Sequence, residues 1–403
     1  MASKKNTYKK TAKKVAKQAK KNPKTFLIIL LVAAILIGAG VAVYFIFIKD
    51  KNVSSSSSTS TSEISSNSNT SYENAEYNPK LANTASGISI NFLELGNWYT
   101  GDSTYIKAGD VDILIDAGSR NNSAKPIKEF IDQYCTDGTL EYVIVTHAHQ
   151  DHIAGFVGTN DIPGIFNSYK IGTLIDFALS NTTSNIYKNY VSKRDAAVAS
   201  GDIQHHYTAA ECVTETNGAS KEYTINEATK MTILDQRYYH ENSSDENNYS
   251  VCALFSHVDN HYLFTGDLEK EGEASLVELN TLPKCQLFKG GHHGSKTSNT
   301  DTLLSVIQPE VVCVCCCCGN NEYTSANENQ FPTQIAINNI AKYTERIYVT
   351  TISTNNDDKT FTSMNGNINF KSEDGKSYIV AGSNNSIILK ETDWFKNNRT
   401  WPS

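Results

Sequence analysis

Residues 146–155, THAHQDHIAG, place His147, His149, Asp151 and His152 within six positions. Imidazole and carboxylate are the side chains that hold borderline-soft divalent ions. Alternate residues leaving a strand point the same way, so His147 and His149 can grip one ion while Asp151 and His152 face a second. The chain has ten histidines, enough for chance pairs, but His-x-His-x-Asp-His at a strand end is a far more specific pattern than a surface or capping cluster. The remaining ligands must come from elsewhere. FTGD ends at Asp267, a carboxylate able to bridge two cations, and GGHHGS offers His292 and His293. Adjacent strand residues point to opposite faces, so one of that pair is expected to ligate. In HHGSKTS, Ser295, Lys296 and Ser298 are candidates for contacting a substrate phosphate, with turn and helix-cap roles as the alternative.

The chemistry this implies is hydrolytic. One or two Zn²⁺ ions, or Mn²⁺ in their place, lower the pKa of bound water to about 7 and supply hydroxide as the nucleophile. Asp151 would orient that hydroxide and manage its proton, alongside His147 and His149 as catalytic ligands, while the metal takes up charge on a phosphoryl or carbonyl oxygen. No side-chain nucleophile is needed.

The elements that must position these residues alternate along the chain. LEYVIV (140–145) reads as a buried strand leading into the metal motif, and Gly155 as part of the turn from strand to helix. ISINFLEL, STYIKA and VDILIDAG read as earlier strands, and Pro126 opens an amphipathic helix, PIKEFIDQYC. The stretch 165–245 is polar and less regular, with a helix near 186–200 and a strand at KMTILD; its His205, His206 and His240 are not expected to ligate. SVCALFSHVDNHYLFTGD (250–267) is a hairpin turning at Asp259-Asn260, with His257 and His261 flanking the turn and exposed. A helix near 300–307, strand EVVCVCCCC, helix TQIAINNIAKY, strand RIYVTT and a terminal hairpin through NINF and SYIVA complete the pattern. Such strand blocks separated by helices predict an α/β fold of two sheets covered by helices.

The cysteine run at 313 and 315–318 falls where a buried strand is expected, and free cysteine packs as a small hydrophobe. Disulfide or redox chemistry and a second metal site are the alternatives. Nine cysteines, an odd number, do not suit a disulfide framework in an exported domain.

Composition divides the chain. Residues 1–25 form a basic tail, and 26–48 are an uncharged apolar run of 23 residues, enough to cross a bilayer once. A cleavable signal would have an apolar region of about 7–15 residues followed by a small-residue site. The lysines put the N-terminus in the cytoplasm, so the rest is expected outside the cell, single-pass and held to the cell membrane. Residues 49–85 read as a Ser/Thr/Asn-rich stalk, 86–392 as the folded domain and 393–403 as a C-terminal tail. Residues 1–51 hold twelve lysines and one aspartate, and the remaining 24 basic and 42 acidic side chains give residues 52–403 a formal charge of −18. That field does not attract polyanions, so a nucleic-acid substrate would depend on a local site. No protein partner is inferable.

From 88 to 385 the sequence resembles the metallo-β-lactamase-fold hydrolases, and within them the extracellular hydrolase domain of ComEC-type competence proteins. The resemblance rests on INFLEL…TGDSTYI, ILIDAG, THAHQDHIAG, ENNYS, LFTGD, KGGHHGSKTS and NGNINFKSEDGK. It implies an αββα sandwich with its metal site at one sheet edge. It also implies Asp116 as a structural aspartate beside the site, His147, His149, Asp151 and His152 as ligands, Asp267 as the bridge, and His292 or His293 as the last histidine. The broad superfamily has a further histidine where this chain has Asn248 and Ser250, and NQFPT keeps Pro332 without the histidine of a Gly-His-Pro turn. A phosphodiesterase or nuclease-like activity follows from the resemblance. Hydrolysis of a lactone, amide or envelope phosphoester, or a non-catalytic binding role, are the alternatives.

Overall fold

The computed structural model describes residues 75–402. The basic tail, the apolar run and most of the stalk lie outside the described residues, among which no helix is long and apolar enough to cross a membrane. In chain order the strands are β1 (Ile88–Phe92), β2 (Thr104–Ala108), β3 (Val111–Ile115), β4 (Thr139–Ile144), β5 (Lys170–Asp176) and β6 (Ile203–Thr208). Then come β7 (Glu222–Thr224), β8 (Thr229–Leu234), β9 (Cys252–His257), β10 (Asn260–Phe264), β11 (Leu287–Lys289), β12 (Val311–Cys318), β13 (Ile347–Asn355) and β14 (Thr360–Ser363), and last β15 (Ile368–Ser372) and β16 (Ile379–Gly382). They form two eight-stranded sheets, β16-β15-β1-β2-β3-β4-β5-β6 and β14-β13-β12-β11-β10-β9-β8-β7. The final hairpin returns to the first sheet. Strands β3 to β6 run parallel, as do β10 to β13.

The sheets face one another through a shared apolar cluster, in which Phe92 stacks on Phe264 and Tyr262 meets Phe370 edge-on. Helices Ala124–Ile131 and Gln150–Val157 add Ile127, Phe130, Ile153 and Phe156 to that cluster. Helices Lys270–Leu279, Asp301–Ile307 and Gln334–Ile340 build a second cluster on the other face of the β12 sheet. Strand β12 shows why both clusters exist. Its Cys313 and Cys315 enter the first, while Val312, Val314, Cys316 and Cys318 enter the second. Side chains alternate across a strand, so a strand covered on both sides must be apolar throughout. All nine cysteines are free and buried.

Several sequence expectations need correction. The 165–245 stretch contains β5 and β6 as well as helix Asn185–Ser200. Strand β6, IQHHYT, lies at the sheet edge and buries only Ile203 fully, so its sequence carries no clear alternation. The hairpin turns one residue earlier than expected, because His257 pairs with Asn260 and Val258 takes a positive φ of 53°. His257 is buried, not exposed: its Nδ1 lies 3.1 Å from Tyr262 Oη and its Nε2 2.6 Å from the Ser86 carbonyl. The segment read as the end of the stalk is tied to the domain, since the Ala82 and Asn83 amides donate to Glu373 at 3.1 and 3.0 Å. Residues 393–402 are not a loose tail either. Helix Asp393–Asn398 buries Phe395 in the second cluster, and Arg399 donates to the Pro332 and Gln330 carbonyls at 3.0 and 2.7 Å.

Candidate metal centre

Four chain segments deliver the site, each just beyond the C-terminal end of a strand. Asp116 follows β3, the 146–152 motif follows β4, Asp267 follows β10, and His292 and His293 follow β11. Gly155 lies inside helix Gln150–Val157 rather than in the turn before it, and its amide donates to the Ala117 carbonyl at 2.7 Å. A Cβ there would meet that oxygen at 2.2 Å, so only glycine lets the helix sit this close to the β3 end.

Asp267 Oδ2 is the centre of the arrangement. His152 Nε2 and His293 Nε2 each stand 3.2 Å from it, and Asp151 Oδ2 is 3.4 Å from His293 Nε2. Both Nε2 atoms are buried and make no hydrogen bond. Their opposite nitrogens are engaged: His152 Nδ1 lies 2.7 Å from Asp116 Oδ2, and His293 Nδ1 lies 2.7 Å from the Cys315 carbonyl. Donation from Nδ1 leaves the Nε2 lone pair free for a cation, the arrangement that metal-bound histidines show. Two orphaned imidazole nitrogens beside two buried carboxylates fit a divalent ion.

Asp102 also brings a ligand atom within 4.8 Å of His152, Asp267 and His293. It meets His293 on the Nδ1 side, at 3.2 Å, and is ion-paired to buried Lys289. Asp151 lies on the Nε2 side of His293, where a cation would sit, and Asp102 on the Nδ1 side. Burial disfavours each charge in this group, yet the charges sustain one another. His293 and His152 hold the Asp267 pKa well below the carboxylate range despite its burial. Burial pulls His152 and His293 down, but Asp267 first, then Asp116 for His152 and Asp102 for His293, lift both well above the ordinary histidine value.

His147 and His149 pair beside this group, His147 Nε2 lying 3.1 Å from His149 Nδ1. Burial, then His152 and His149, push the His147 pKa well down, which favours the neutral imidazole. On the side of His147 away from His149, Ser250 Oγ lies 3.4 Å from Nδ1 and accepts the Asp267 amide at 3.0 Å. Asn248 turns away, accepting the Glu269 amide at 3.3 Å.

His292 and His293 occupy a short turn, both at positive φ, 47° and 51°, and not a strand. This conformation is uncommon for residues other than glycine and marks sites where the surroundings dictate the backbone. His292 stays at the rim, its Nε2 3.8 Å from Asp267 and its Nδ1 3.5 Å from Glu269.

The centre opens into a cleft of about 610 Å³ lined by His149, Asp151, Asp267, His292 and Ser295 among others. Ser295 Oγ shares a 2.8 Å hydrogen bond with Thr297 Oγ1. Ser298 is buried and donates to the Leu268 carbonyl at 2.8 Å, a structural bond. Lys296 is exposed and donates to Asn329 Oδ1 at 2.7 Å. His205, His206, His240, His257 and His261 lie outside the centre; His206 and His240 pair with Asp176 and Asp235 at 2.9 and 3.0 Å. Sequence reading missed Asp102, Arg120 and Tyr323. Asp102, the acid of TGDSTYI directly ahead of β2, carried a faint signal. Tyr323 carried none, yet its hydroxyl donates to Asp151 Oδ2 at 2.7 Å.

Residues 96–158 match the metallo-beta-lactamase superfamily. Over 188 residues the chain is 27% identical to ComE operon protein 3 of Bacillus subtilis, covering 46% of this chain and 21% of that protein. Over 69 residues it is 38% identical to Recombination protein 2 of Haemophilus influenzae, covering 17% of this chain and 8% of the other. The chain thus spans about a fifth or less of the length of these curated relatives. Among solved structures, the metallo-beta-lactamase fold protein YhfI from Bacillus subtilis aligns at 9% identity and a TM-score of 0.39, covering 66% of this chain and 96% of its own. CmlA from Streptomyces venezuelae, a diiron beta-hydroxylase, aligns at 10% identity and 0.31, covering 57% of this chain and 44% of its own.

Proposed function

Taking the chain as a metallo-β-lactamase-fold protein similar to ComE operon protein 3, we propose that it is a metal-dependent hydrolase of phosphodiesters. On this reading it is held to the cell membrane through residues 26–48, with the described domain outside. The observation that carries the chemistry is the convergence of buried His152 Nε2 and His293 Nε2 on Asp151 and Asp267, two carboxylates that line an open cleft. The preference for a phosphodiester comes from the relatives, named for the ComE operon and for recombination.

These four residues would hold a divalent cation, Zn²⁺ or Mn²⁺, which when bound would supply Lewis-acid polarisation of a phosphoryl oxygen and a lowered pKa for water. Asp116 and the Cys315 carbonyl keep the two ligand imidazoles in the required tautomer. Asp151 lines the cleft, so its carboxylate can orient an attacking water by accepting its hydrogen bond. The Tyr323 hydroxyl fixes that carboxylate from the cleft side. His292, braced at Nδ1 by Glu269 and Thr297, presents Nε2 where it can give a proton to a departing oxygen. Residues 52–403 carry −18, so substrate reaches the cleft without long-range attraction, which favours small diesters and single strands over duplex DNA.

The test is metal analysis of the full chain followed by turnover of phosphodiester, lactone and β-lactam substrates under Zn²⁺ and Mn²⁺. Metal-dependent cleavage of small diesters, with weak activity on single-stranded DNA, is expected. Rapid lactone or β-lactam hydrolysis without phosphodiesterase activity would transfer the assignment to those substrates. Iron uptake coupled to oxygen consumption would remove it from the hydrolases.

A further inference from the structure

Arg120 is the one lysine or arginine among the described residues that line the cleft, where Asp151, Asp267, Glu269 and Glu322 are all acidic. Its side chain is 27% exposed and therefore reachable by a ligand. Three contacts hold it in place. Nη2 pairs with Glu322, Nη1 donates to the Ser119 carbonyl at 2.6 Å, and the guanidinium carbon lies 3.6 Å from the Tyr99 ring centroid. Glu322 is itself fixed, because its second oxygen accepts the Thr100 amide at 2.8 Å. The next residue, Tyr323, bonds Asp151, so one step of the loop after β12 joins the arginine to a metal-binding carboxylate.

A neutral substrate gains little from a guanidinium in the wall. An anion gains planar, charge-assisted hydrogen bonds from a group already stacked and oriented. We infer that Arg120 determines specificity by binding the anionic oxygen of the substrate phosphodiester, and that Glu322 is the internal carboxylate with which that oxygen competes. The inference rests on the phosphodiesterase reading of the same site. Arg120 acts on substrate binding and not on the metal.

The experiment measures calorimetric binding of diphenyl phosphate, a monoanionic diester, and of methyl diphenyl phosphate, its neutral triester, to the metal-loaded full-length chain. Arg120→Gln is expected to weaken diester binding about tenfold or more and to leave triester binding and metal content unchanged. Arg120→Lys should recover part of the loss, and Glu322→Gln should tighten the diester. Unchanged diester affinity in Arg120→Gln, or equal loss of diester and triester, would overturn the assignment. Weaker diester binding in Glu322→Gln would overturn the competition. Charge-selective binding through Arg120 in a protein that cleaves no diester would sink the phosphodiesterase reading and leave the anion site standing.

Discussion

Replacing Asp116 with asparagine is expected to weaken metal binding while leaving the domain folded. Asp116 Oδ2 accepts from His152 Nδ1 at 2.7 Å and from Thr146 Oγ1 at 2.8 Å, and Oδ1 accepts the Thr146 amide at 2.8 Å. An asparagine oxygen can serve the Thr146 amide, but its NH₂ then faces His152 Nδ1–H, donor against donor. His152 must lose that bond or move its proton to Nε2, the nitrogen aimed at Asp267. A hydrogen bond to a charged group contributes ~1.5–3 kcal/mol. Removing the partner of a metal-bound histidine costs about 10–100-fold in affinity, which is about 1.4–2.7 kcal/mol and agrees with that figure. The backbone does not add to the loss, because Asp116 sits at φ 58°, a left-handed conformation that asparagine tolerates. Competition with a chromophoric zinc chelator gives the affinity, and the melting temperature of the chelated protein reports folding. A folded Asp116→Asn protein that binds zinc as tightly as wild type would refute the assignment of His152 Nε2 as a ligand.

Three other expectations follow from the same structure. Glu273, fully buried and accepting from the Asn299 and Thr300 amides at 2.7 and 2.8 Å, has its pKa lifted by burial from 4.5 to about 7. A raised folded pKa means stability present below the unfolded value and lost as pH rises through about 7, at most ~3 kcal/mol. Urea curves should therefore shift in favour of Glu273→Gln between about pH 5 and pH 8, and a pH-independent difference would show that the carboxyl titrates normally. Zinc content should be about one ion per chain, since a serine or asparagine oxygen is a poor zinc ligand. Anomalous diffraction showing two full ions, one on His147 and His149, would contradict this. Thiol alkylation of the native protein should spare Cys313 and Cys315 to Cys318 until denaturant is added, and rapid native labelling would mean that β12 is open.

How far the sequence could be read depended on whether the determining contacts were local. His147, His149, Asp151 and His152 stood out because four ligand-type side chains fall within six positions. The cysteine strand was legible because a fully apolar run needs cover on both faces, and β12 has it. The choice between His292 and His293 was not legible. The period of two that might have decided it belongs to strands, and both residues sit in a left-handed turn. What sets His293 apart is the Cys315 carbonyl on its Nδ1, brought there only once β11 pairs with β12. The setting of Lys289 was not legible for the same reason. Beside two glycines and two histidines nothing local marks it as buried, yet it is buried and paired to Asp102 and Asp267. The positive charge that does reach the cleft is Arg120, whose partners Tyr99, Ser119 and Glu322 come from different segments. A site assembled from strand ends thus shows its ligand types in the sequence, while register and packing decide which nitrogens face the buried carboxylates and which cation reaches the cleft.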